Sequence, residues 1–102
     1  MSSAAVIKNA FTVDLEDWYQ GIEIDIEDWG RFEDRLRVGV DRLLALFAEA
    51  DVHATFFALG YAVERAPELM REIRARGHEI GTHGYSHRFV YELGEEGFRS
   101  DL

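Results

Sequence analysis

Two histidines four residues apart, His83 and His87, stand in the stretch Gly77-His78-Glu79-Ile80-Gly81-Thr82-His83-Gly84-Tyr85-Ser86-His87. Neutral imidazoles are common metal ligands, and a pair held on one turn supplies half of a tetrahedral shell. Catalytic zinc normally takes three protein ligands and leaves one position open, so the pair needs a carboxylate from elsewhere. The segment Asp14-Leu15-Glu16-Asp17-Trp18 offers three acids. Asp14 and Glu16 share one face of an extended chain, and Asp17 joins them only if the strand has already ended. The competing reading is a solvated acidic turn capping the helix that follows.

The flanking sequence says how such residues would be placed. Ala4 to Val13 is a candidate first strand, β-prone at Val6-Ile7 and Phe11-Thr12-Val13, which delivers the acids to its carboxyl end, where α/β folds put chemistry. Tyr19 to Trp29 is expected to be an irregular loop whose aromatics either line a sugar site or anchor the loop to the core. Phe32 to Glu49 carries Leu36, Val40, Leu43, Leu44 and Phe47 at helical spacing, a core-packing stripe. Val52 to Gly60 is a second strand, and its apolar run from Ala54 to Leu59 predicts burial on both faces, as in a parallel sheet.

Tyr61 to Arg76 returns to helix with a fresh start at Pro67, and Gly77 stands just past its basic end as a stop. His78 to Thr82 is a short third strand. His83 follows at its end, and Gly84 loosens the backbone so that His87 can swing back beside it. Strand, helix, strand, helix, strand predicts an α/β fold with parallel strands, either a doubly wound sheet or a β/α barrel. Glu95 to Leu102 starts a further helix, with Phe98 and Leu102 one turn apart. Three parallel strands can neither close a barrel nor cover both sheet faces, so residues 1–102 are expected to be the N-terminal part of a longer catalytic domain.

Composition bounds the chemistry. With 102 residues, 47% of them hydrophobic, the chain has apolar material for one small domain. It has no cysteine, so any metal must use histidine and carboxylate. A net charge of −9 argues against nucleic acid or an anionic membrane as partner and leaves a neutral sugar or amide open. Met1 to Lys8 lacks the pattern of a signal peptide, which gives a cytoplasmic expectation, and no stretch approaches a membrane span.

Three motifs together resemble a known family. Phe11 to Trp18, Ala54 to Gly60 and Gly77 to His87 are similar, in order and spacing, to the polysaccharide deacetylases of carbohydrate esterase family 4, the NodB homology domain. The Asp-Leu-Glu-Asp-Trp and His-Gly-Tyr-Ser-His forms most resemble the subgroup associated with exosortase and exopolysaccharide loci, and the resemblance runs from about Asn9 to Leu102. It implies a distorted (β/α) barrel that removes acetyl groups from an N-acetylated polysaccharide or oligosaccharide with a divalent metal, usually zinc.

On that resemblance Asp14 is the general base, and His83 and His87 are metal ligands. Relatives with an acid-x-acid spacing favour Glu16 as the acidic ligand, and Asp17 is its rival. Gly84 departs from the Ser or Thr common between the histidines, which removes a side-chain hydrogen bond but no ligand. The family's general acid, a later histidine, and its Arg-x-Pro motif are expected beyond Leu102. Two other readings remain at this level: an allantoinase-like amidohydrolase acting on a small cyclic amide, and an inactive truncated fragment serving only as an interaction piece.

Overall fold

The computed structural model describes residues 6–102. Three parallel strands, β1 (Thr12–Leu15), β2 (Thr55–Ala58) and β3 (Glu79–Thr82), form one sheet in the order β1-β2-β3. Between them run helices α1 (Leu36–Ala50), α2 (Gly60–Arg65) and α3 (Pro67–Ala75); α4 (Val90–Asp101) follows, broken at Gly94 by a φ of 70°. The expected α/β alternation with parallel strands is what the chain adopts.

Register decides which residues share a face. Asp14 pairs with Phe57 and Phe57 with Gly81, while Leu15 pairs with Ala58 and Ala58 with Thr82. Leu15, Phe56 and Ala58 pack with Val40, Leu44 and Phe47 of α1 and with Leu69, Met70 and Ile73 of α3, forming the main core. Thr12, Asp14, Thr55 and Phe57 fall on the other face by strand alternation. Burial of β2 on both faces is therefore corrected: Phe56 and Ala58 are buried, but Thr55 and Phe57 are only half-buried, because both crossover helices lie on one side.

Several boundaries move for identifiable reasons. The first strand begins at Thr12 and extends through Leu15, while Val6 and Ile7 are exposed and outside it; Ala4 and Ala5 lie outside the described residues. Helix α1 starts at Leu36 rather than Phe32. The Asp17 carboxylate accepts from the backbone N–H groups of Arg35 (2.8 Å) and Leu36 (3.0 Å), satisfying donors that the first turn leaves free. Phe32 packs instead with Tyr19 and Trp29. At the other end of α3, Gly77 takes a φ of 89°, its N–H donates to Arg74 and that of His78 donates to Ile73. This is the glycine stop that the sequence predicts.

The segment between β1 and α1 is irregular apart from a 3-10 turn at Ile26–Arg31. Its aromatics anchor it: Tyr19 and Trp29 are each 1% exposed, packed against Leu59 and Ala62. Trp29 Nε1 donates to the Ile24 carbonyl, and the Tyr19 hydroxyl donates to Asp34, which also pairs with Arg65 at 2.7 Å. Burial and the Asp34 contact hold the Tyr19 hydroxyl protonated, while Arg65 and then Tyr19 keep the Asp34 carboxyl below its ordinary value.

Candidate metal centre

The carboxyl ends of β1 and β3 bring the histidines to an acid. The His83 N–H donates to the Ala58 carbonyl at 3.1 Å, continuing the β2–β3 ladder by one step and fixing His83 at the strand end. Glu16 immediately follows β1, two residues beyond Asp14 and on its face. Glu16 Oε2 lies 3.1 Å from His87 Nε2 and 3.5 Å from His83 Nε2. The two imidazoles stand 5.2 Å apart at 71°, and one donor atom from each of the three residues falls within a common 4.8 Å.

These close approaches are not hydrogen bonds. Glu16 Oε2, His83 Nε2 and His87 Nδ1 are buried and have no hydrogen-bond partner among the described residues. Buried polar atoms almost always find a partner, so three orphans in one cluster need an explanation. A carboxylate oxygen and two imidazole nitrogens within 4.8 Å of one another are a nitrogen and oxygen donor set that zinc accepts. The residues present fit a divalent cation.

The other sequence-predicted site residues divide. Asp14 is exposed, on the face of the sheet that the helices leave open. Asp17 is not brought into the cluster. It is 6% exposed, with Oδ1 accepting from the Trp18 N–H and Oδ2 from the Arg35 and Leu36 N–H groups. Its carboxylate is committed to the start of α1, as the capping reading has it, whereas its neighbour Glu16 lies beside the two histidines. His78 is remote from the cluster, at the opposite end of β3, where Nδ1 accepts from the Ala54 N–H at 3.0 Å. His87 also lines a cavity of about 330 Å³ shared with Ile22, Asp25, Glu27, Phe89 and Glu92. A larger cavity, about 510 Å³, lies between the starts of α1 and α3 and touches none of the three cluster residues.

The turn that carries His87 is under backbone constraint, with φ of 71° at Gly84 and 57° at His87 itself. Positive φ is unfavourable for histidine and persists only where surroundings impose it. The carbonyls of Gly84 and Tyr85 accept from the N–H groups of Gly60 (2.7 Å) and Tyr61 (3.3 Å) at the start of α2. Sequence reasoning misses Gly60, which lies so close that an added Cβ would stand 2.7 Å from Tyr85 Cδ2. Tyr85 turns outward to donate its hydroxyl to Glu64 at 2.9 Å.

The chain is similar to proteins named for deacetylation of glycans. It is 48% identical over 50 residues to a peptidoglycan deacetylase of Helicobacter pylori, covering 49% of this chain and 17% of that protein. It is 33% identical over 61 residues to a peptidoglycan-N-acetylglucosamine deacetylase of Bacillus cereus, covering 60% of this chain and 29% of that one. A crystal structure from Mycobacterium smegmatis, named for the polysaccharide deacetylases, superimposes with a TM-score of 0.71 and 31% identity over 90% of this chain and 34% of its own. The chain thus spans between 17% and 34% of the length of these relatives. Residues 29–102, which include both histidines of the cluster, match the family model for polysaccharide deacetylase, and the chain belongs to that family.

Proposed function

We propose that this chain carries the cation-binding part of a hydrolase that removes N-acetyl groups from a polysaccharide. The observation that carries the reading is the grouping of Glu16, His83 and His87, each with a buried polar atom that has no hydrogen-bond partner among the described residues, at the carboxyl end of a parallel sheet. The names of the relatives, which specify peptidoglycan and its N-acetylglucosamine, support an N-acetylated sugar polymer as substrate. The Asp14 to Trp18 and His83 to His87 forms, which resemble the exopolysaccharide-associated subgroup, favour an exopolysaccharide within that class.

Glu16, through one carboxylate oxygen, and His83 and His87, through ring nitrogens, would hold a divalent cation, which we take to be zinc. Such a cation, when bound, polarises an acetyl carbonyl and lowers the pKa of water. The chain's own part is positional and acid–base. With only one carboxylate among the three residues, a divalent cation held there would keep net positive charge and would attract electron-rich oxygen. Asp14 stands on the same sheet face, exposed and two residues before Glu16, and would accept a proton from attacking water on its carboxylate. Substrate would approach past His87 through the cavity it shares with Ile22 and Phe89.

The test is zinc titration of the chain beside His83→Ala/His87→Ala, followed by acetate release from N-acetylglucosamine oligomers by a polypeptide of the relatives' full length. One equivalent of zinc in the wild type, lost in the double variant, together with zinc-dependent acetate release, is the expected result. A folded wild type that takes up no zinc would overturn it.

A further inference from the structure

The histidine turn is gripped from a second side, by a residue outside every motif. Asp101, the last residue of α4, directs both carboxylate oxygens into the turn. Its Oδ2 accepts from the Tyr85 N–H at 3.0 Å, and its Oδ1 accepts from the Ser86 N–H at 3.1 Å and from the Ser86 hydroxyl. Ser86 is 6% exposed, so these donors have little access to water. Gly84 makes room for the arrangement, since a Cβ there would stand 3.0 Å from Asp101 Oδ2. The location is electrostatically costly, because a helix C-terminus disfavours negative charge. A carboxylate kept at that position is offset by what it binds.

From these contacts we infer that Asp101 is a positioning residue for the metal centre: it fixes the Gly84 to His87 turn so that His87 joins His83 and Glu16. The N–H groups inside the turn point to Asp101 while its carbonyls take the N–H groups of Gly60 and Tyr61. The two grips oppose each other across one short loop. Together they hold His87 at its positive φ, from which its ring nitrogen reaches within 3.1 Å of Glu16. Asp101 hydrogen-bonds to none of the three donor side chains; its hydrogen bonds are to Tyr85 and Ser86. The inference rests on the metal reading above only for its consequence; the clamp itself consists of contacts within the chain.

The experiment compares wild type with Asp101→Ala, Asp101→Asn and Ile73→Ala by zinc titration and by amide hydrogen exchange. Loss of an outer-shell partner typically weakens metal binding roughly 10- to 100-fold, and Asp101→Ala should fall in that range. Asp101→Asn, which keeps one acceptor oxygen, should fall between it and wild type. Ile73→Ala lowers stability from the core far from the turn and should leave zinc affinity within about 2-fold, which separates positioning from general destabilisation. Protection of the Tyr85 and Ser86 amides should be lost in Asp101→Ala and kept in Ile73→Ala. Equal zinc affinity in Asp101→Ala and wild type would overturn the inference. If wild type binds no zinc, the metal reading fails and exchange decides alone: unchanged protection at Tyr85 and Ser86 in Asp101→Ala overturns the clamp, and selective loss supports it.

Discussion

Glu16 and Asp17 are neighbours in sequence and point to opposite sides of the end of β1. The Glu16 carboxylate lies 3.1 Å from His87 Nε2, whereas Asp17 Oδ2 receives the N–H of Leu36 at 3.0 Å. One residue of offset at a strand end turns one acid toward the open face of the sheet and the next toward the helix layer. A candidate metal ligand and a helix cap thereby occupy adjacent positions, and each depends on the other side chain being turned away.

Substitution should separate the two roles cleanly. Glu16→Gln is expected to weaken zinc by more than the roughly 10- to 100-fold typical of outer-shell losses. It should leave thermal stability without metal nearly unchanged, since the buried Glu16 Oε2 makes no hydrogen bond among the described residues that the substitution could break. Asp17→Ala is expected to cost about 2 kcal/mol, the upper end for loss of a helix cap, with zinc affinity of the folded protein retained. Chemical denaturation and zinc titration on both variants check this. A loss of zinc on Asp17→Ala comparable with that on Glu16→Gln would contradict the assignment.

Gly60 supports the histidine turn by proximity. An alanine there would bring Cβ to 2.7 Å from Tyr85 Cδ2 and 3.2 Å from Tyr85 Cα, so the turn itself has to shift. Gly60→Ala is expected to destabilise the protein by roughly 1–3 kcal/mol, the usual cost of overpacking, and to weaken zinc binding as the turn moves. Gly39→Ala, where a Cβ meets nothing within 4 Å, is the matched control and should be neutral or slightly stabilising, because alanine is the better helix former. Equal behaviour of the two variants in denaturation and zinc titration would remove Gly60 from this role.

Much of this architecture was legible because its signals are local. The alternation of apolar runs placed three strands and their crossovers, Pro67 marked a helix start, and Gly77 marked a stop. The Asp14/Glu16 face followed from strand alternation alone. What was hidden depends on tertiary contact. Nothing near Asp17 in sequence says that its partners are the N–H groups of Arg35 and Leu36. Nothing near His87 names Asp101 or Gly60. The aromatics between β1 and α1 left two fates open, and packing against Leu59 and Ala62 decided for anchoring. The one faint sequence signal for Asp101 is an acid at the end of a helix, where the dipole disfavours it.

Trp29 tests the anchoring role of that segment. At 1% exposure, with Nε1 bonded to the Ile24 carbonyl and its ring edge-on to Tyr61 at 4.8 Å, it is core rather than sugar platform. Trp29→Ala is expected to cost roughly 3–5 kcal/mol, while Trp29→Phe should recover a good part of that. Oligosaccharide affinity of folded Trp29→Phe should match wild type. A variant that kept full stability but lost sugar binding would reverse the interpretation.

His78 sets an acid limit on stability. Burial, then the charges of His53 and Arg76, lower its pKa from 6.5. Its Nδ1 accepts the Ala54 N–H, a bond that the imidazolium cannot make because both its nitrogens donate. The folded chain therefore keeps the ring neutral at pH values where the unfolded chain already binds a proton. Where the unfolded state holds more protons, stability rises with pH. The His78 contribution is then complete above the unfolded value of 6.5 and declines as pH falls from there toward the lower folded value. His78→Asn places an amide oxygen where Nδ1 stood and does not titrate, so its stability should fall less steeply below about pH 6.5 than that of wild type. Urea denaturation of both proteins at closely spaced pH values, performed without metal, reads the difference directly. Parallel pH profiles for His78→Asn and wild type would show that the Ala54 contact does not couple folding to this proton.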